Sequence, residues 1–81
     1  MPRYYFDLRD GDDLAADDEG LEFPSIEWVQ AEAAHSLADM AHDAVRRDQD
    51  GADHRMAIEV RDDEGPVLEV KFTFEIDRYK H

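Results

Sequence analysis

The chain has 81 residues, a formal net charge of −13 and no cysteine, which makes it one domain without disulfides or thiolate metal sites. A surface this acidic is repelled by nucleic-acid phosphates and by anionic lipid, and the nine Lys and Arg residues are scattered; no nucleic-acid or membrane partner is expected. The opening Met1 to Asp7 lacks the apolar run of a secretory signal and no stretch approaches the roughly 20 apolar residues of a membrane span, so the expected location is the cytoplasm.

Residues 4 to 8 alternate, with Tyr4, Phe6 and Leu8 on one side and Tyr5, Asp7 and Arg9 on the other. A period of two is the pattern of a half-buried strand. Asp10-Gly11 then signals a tight turn, and Asp12 to Ala16 can supply a short return strand. After the polar break Asp17-Asp18-Glu19-Gly20, Leu21 and Phe23 are expected to reach the edge of the core. Pro24-Ser25 opens a long helix from Ile26 to about Arg47, with Ser25 as its N-cap, Glu27 in the first turn and Arg46-Arg47 in the last. Ile26, Val29, Ala33, Leu37, Met40 and Ala44 recur at spacings of three and four and form its apolar stripe. Asp48, Gln49 and Asp50 lead to Gly51, which ends this segment.

The last third alternates again. Met56, Ile58 and Val60 share one face, and Leu68, Val70, Phe72, Phe74 and Ile76 share one face of the returning strand. Asp62 to Pro66 forms the turn between them, with Gly65 expected in the left-handed conformation. The order hairpin, helix, hairpin predicts an α+β domain of ββαββ type spanning residues 1–81. It is a small antiparallel sheet of about four strands, with the helix on one face and the other face in water.

The opening from Met1-Pro2-Arg3-Tyr4-Tyr5-Phe6 to Asp10-Gly11, the acidic turn ending Asp18-Glu19-Gly20, Pro24 before an Ala-rich helix and the closing Asp63-Glu64-Gly65 hairpin together resemble a family of small bacterial proteins known only as a domain of unknown function. The resemblance runs over nearly the whole chain. It departs at Trp28, where the family pattern usually has a small residue. It implies a free-standing domain of bacterial origin and carries no activity, cofactor or catalytic residue.

Candidate chemistry is sparse. His35, Asp39 and His42 share the helix face opposite the apolar stripe, and two imidazoles with a carboxylate suit Zn²⁺. The two histidines, however, are two turns apart, roughly 10.5 Å along the axis, too far for one ion without a second element. The acids from Asp10 to Glu19 do not form an EF-hand loop, since counting from Asp10 puts Ala15 at position six and Leu21 at position twelve. Ser25 is used as a cap, and nothing marks Ser36 as a nucleophile. No cofactor is implied.

Trp28 lies by helical angle on the outer face with His35 and Arg46. Either a loop within residues 12–23 folds over the indole, or it is an exposed aromatic of the kind that anchors interfaces. Tyr5, on the open sheet face, is a lesser candidate of the same kind. The favoured function is a small acidic interaction or regulatory module without catalytic activity, its partner a basic protein or a second copy of itself. The alternatives are a metal-dependent protein built on His35, Asp39 and His42, and an acidic mimic of nucleic acid, which the placement of many acids in turns argues against.

Overall fold

The computed structural model describes residues 1–47, 54–75 and 79. The strands are β1 (Arg3–Asp10), β2 (Asp13–Ala15), β3 (Leu21–Glu22), β4 (His54–Asp62) and β5 (Gly65–Phe74), and the one helix among the described residues is α1 (Ile26–Arg47). All pairings are antiparallel, in the order β2-β1-β4-β5, with β3 on the same edge of β1 as β2. The domain is therefore α+β, a helix packed on a small sheet, with one short strand more than the four expected. The expected loop of Asp48, Gln49, Asp50 and Gly51 lies outside the described residues, as does Ile76.

Register puts the apolar set on one face. Phe6, Val60 and Leu68 form one cross-strand row, and Leu8, Ile58 and Val70 form the next. The helix brings Val29, Ala33, Leu37, Ala41 and Ala44 onto this face, and all five are buried. Alanine on the inner stripe lets the helix axis lie close to the sheet, where Ile58 and Val60 are almost wholly buried. The helix begins as its sequence requires. The Trp28 amide donates to Ser25 Oγ at 3.4 Å, and the Val29 amide donates to the Ser25 carbonyl at 3.3 Å.

The helix lies over β4 and β5, and this placement corrects three of the expected core positions. Leu21 pairs with Tyr4 yet is 56% exposed, because the two-residue β3 sits at the sheet margin. Leu8, in β1, is exposed because the helix lies over β4 and β5 and leaves that strand partly uncovered. Phe23 does fill that margin, its ring centroid 5.7 Å from Phe6 and 6.4 Å from Tyr4. Ile26 has the right helical angle but is 41% exposed, since it lies one turn beyond Val29 at the helix start. Ala41 takes up the core contact instead.

The closing hairpin differs in its turn. Asp62 pairs with Gly65, and the Asp62 carboxylate accepts from the amides of Glu64 (2.8 Å) and Gly65 (3.1 Å), an Asx arrangement that closes the turn. Gly65 has φ of 132°, positive but far from the left-handed helical value. The bulge lies beyond the turn. Val60 pairs with Leu68 but Arg61 pairs with Pro66, so Val67 is the extra residue.

Candidate functional site

Two polar surfaces stand out, one on each side of the molecule. On the open sheet face, register stacks Asp7, Glu59 and Glu69 in one cross-strand row, with Arg9, Ala57 and Lys71 in the row beside it. Like charges directly opposite destabilise a sheet, and each carboxylate here has its own cation. Arg61 Nε is 3.0 Å from Asp7, Arg9 Nε is 2.8 Å from Glu59, and Lys71 Nζ is 3.5 Å from Glu69. The hydrogen bond with Glu59 also holds the Arg9 guanidinium more firmly protonated than usual.

Asp7 is only 9% exposed, so this face is not simply wet, as the alternation of the strands suggested. The cause is the stretch between β2 and β3, which folds back over the sheet. The Asp17 amide donates to Asp7 Oδ1 at 2.9 Å, and Arg61 Nη2 donates to the Asp17 carbonyl at 2.8 Å. β2 and β3 pair with the two ends of β1 and leave a gap between them. There the Phe6 amide donates to Asp17 Oδ2 at 3.1 Å, so a side-chain carboxylate stands in for the missing strand. The other oxygen, Oδ1, accepts from the amides of Glu19 and Gly20. Burial by itself would raise the Asp17 carboxyl. The three backbone donors and the nearby Arg61 guanidinium outweigh it and hold the group below the ordinary carboxylate value.

Gly20 completes this clasp. Its φ is 72°, and a Cβ there would meet Arg3 Cγ and Tyr5 Cε1 at 2.9 Å. Arg3 Nη1 reaches over it to the Glu19 and Gly20 carbonyls at 2.8 and 3.2 Å. Tyr5 is half-buried, with the Arg61 guanidinium carbon 4.6 Å from its ring centroid. Tyr5 is thus held within the clasp, and its ring already has a cation over it. Beside the clasp runs an open groove of about 400 Å³, which the Val67 bulge helps to shape and which Asp7, Arg61 and Glu69 line. The clasp is not legible in the sequence as a unit. An acidic turn between two strands gives no sign of which strand amide its carboxylate will reach, although a lone Asp on the alternating pattern of β1 was a signal.

The second surface is the outer face of α1. Trp28 is 63% exposed. The covering loop weighed for it does not reach the indole, because that stretch is bound to the opposite side of the sheet through Asp7, Arg61 and Arg3. Among the described residues, Ser25, Glu27 and Ala31 line the shallow depression beside Trp28. His35 Nε2 and Asp39 Oδ2 are 3.5 Å apart, with both side chains about three-quarters exposed (74% and 73%), and His42 is exposed on the next turn. Among the described residues, no three His, Cys, Asp or Glu side chains are gathered closely enough to hold a metal ion.

Fold and surfaces together define a small helix-on-sheet domain whose described polar groups are either clasped together or displayed on an open face. The chain matches the model of the family described as a domain of unknown function, DUF6894, over residues 3–73, and it belongs to that family. No curated protein and no solved structure matches it. Among the described residues, no helix is long and apolar enough to cross a membrane.

Proposed function

We propose that this protein is a non-catalytic interaction module of the cytoplasm and that it binds its partner through the outer face of α1. The observation that carries the reading is Trp28. An indole left 63% exposed costs solvation in the free domain and contributes nothing to its core, yet tryptophan is among the side chains richest in binding energy at interfaces. Its neighbours support a protein surface. Ala31 is exposed beside it and Ala38 two turns farther along the same flank, and small side chains admit close approach of another chain. The net charge of −13 favours encounter with cationic patches over nucleic acid or anionic lipid.

The test is affinity capture with the immobilised full chain and its Trp28→Ala variant, the retained proteins being quantified by mass spectrometry. The wild-type chain retains at least one protein, its own copies included, that the variant loses. Identical retained sets would contradict the assignment of this face.

A further inference from the structure

The outer face of α1 has a regularity of its own. Trp28, Glu32, His35, Asp39, His42 and Arg46 follow one another at spacings of four, three, four, three and four. Three-and-four spacing keeps the six side chains on one stripe, a seam that is polar apart from Trp28 and so pairs by charge and not through the apolar a and d positions of a coiled coil. In this protein the seam points away from the sheet, since Val29, Ala33, Leu37, Ala41 and Ala44 occupy the inner face. Followed inward from its two ends toward the level of Leu37, the seam is complementary to its own reverse. Trp28 corresponds to Arg46, Glu32 to His42, and His35 to Asp39.

The geometry points to a second copy of this chain as the occupant, with two α1 helices packed antiparallel through this seam about a two-fold axis level with Leu37. The inference rests on the reading of the outer helix face as a binding surface and names its partner. In a two-fold interface each complementary pair occurs twice. The Trp28 ring of one copy receives the Arg46 guanidinium of the other, a cation–π contact. The Glu32 carboxylate accepts an N–H from the opposing His42, which an imidazole offers in either protonation state. His35 and Asp39 already approach to 3.5 Å within one chain, and the reversed helix brings the same pair across. A parallel arrangement would instead set Glu32 on Glu32 and Asp39 on Asp39.

The flank of the seam fits as well. Ala31, Ala38 and Val45 stand one heptad apart on one side and are all exposed, giving a narrow apolar border that permits close helix contact. A generic basic protein fits less well, because it would meet Arg46 and two histidines on the same line. The net charge of −13 on each copy opposes the pairing, so the dimer is weak and requires high protein concentration.

Sedimentation equilibrium of the full chain, carried to millimolar concentration, tests the inference. Wild-type protein passes from monomer to dimer as concentration rises. Trp28→Ala weakens the dimer by about tenfold or more, because two tryptophans are lost from one interface. Glu32→Lys and His42→Glu each weaken it alone. An equimolar mixture of these two variants associates about tenfold more tightly than either does separately, because the introduced lysine then faces the introduced glutamate. Circular dichroism of each variant checks that these surface changes leave the fold intact. A wild-type chain that stays monomeric at millimolar concentration overturns the inference, as does a mixture no tighter than its components. If the pure chain stays monomeric while Trp28→Ala still strips a captured protein, self-pairing falls and the interaction reading stands. If Trp28→Ala changes neither measurement, both fall.

Discussion

Asp7 and Asp39 are the same residue type on regular elements of one small chain, and the structure uses them in opposite ways. The Asp7 side chain is 12% exposed and bound on both oxygens, to the Asp17 amide and to Arg61. Asp39 is 73% exposed, and its contact is a 3.5 Å approach to His35 one turn away. The clasp on the sheet and the outer face of the helix are therefore different kinds of polar surface. The first fixes backbone and holds a loop in place. The second presents charge and an indole to whatever approaches. Net acidity says nothing about this difference, which comes from how many donors each carboxylate meets.

The two surfaces are separated most clearly by altering each and following folding. Gly20→Ala combines a strained φ of 72° with contacts of 2.9 Å to Arg3 and Tyr5, and should cost about 2–4 kcal/mol. Gly11 has φ of 62° but nothing within 4 Å of its added Cβ, so Gly11→Ala should cost only about 1 kcal/mol. Asp7→Ala leaves Arg61 Nε and the Asp17 amide without their acceptor, while Arg61 keeps the Asp17 carbonyl and the Tyr5 ring, and a loss of about 2 kcal/mol is expected. On the helix face, Trp28→Ala should stay within about 0.5 kcal/mol of wild type. Urea unfolding of all four in dilute solution checks this order. A Trp28 variant as unstable as the Asp7 variant would erase the distinction between the two surfaces.

The clasp also has a smaller pH-dependent contribution. The Asp17 carboxyl is held below its ordinary value in the folded state, so the folded chain takes up that proton less readily than the unfolded one. Its stabilising contribution is complete above the unfolded value of about 3.9 and is lost as pH falls through that value toward the folded one. Asp17→Asn should be less stable than wild type at pH 7, and the gap should narrow on acidification below about pH 4. Thermal melts at both pH values measure it. A gap independent of pH would mean that the carboxylate charge is not what holds the loop.

Much of this architecture was legible in the sequence because it follows from periodicity. Alternation from Tyr4 to Leu8 and from Met56 to Val60, and the three-and-four spacing from Val29 to Ala44, each require one buried face. Ser25 marked the helix start for a local reason, the reach of a hydroxyl to amides one turn on. Periodicity gives angle, however, and not the extent of the partner surface. Ile26, Leu8 and Leu21 are exposed against their pattern because exposure depends on where the sheet and helix end and on which strands the helix covers. The clasp was out of reach for a related reason. Asp17 meets Phe6, Asp7 and Arg61 across separations of up to 44 residues, and such meetings depend on strand register. Trp28 and the histidine face, by contrast, could be placed from helical angle alone.

The open binding surface on α1 depends most directly on the state of the single tryptophan, which its fluorescence reports without interference from another indole. Emission from the full chain, recorded from dilute solution to high concentration, should be red-shifted, as for a water-exposed indole, in the dilute monomer. It should move to shorter wavelength as the outer helix faces meet. A blue-shifted emission already present in the dilute monomer would mean that the indole is covered within one chain, and would contradict the assignment of this face as an open binding surface.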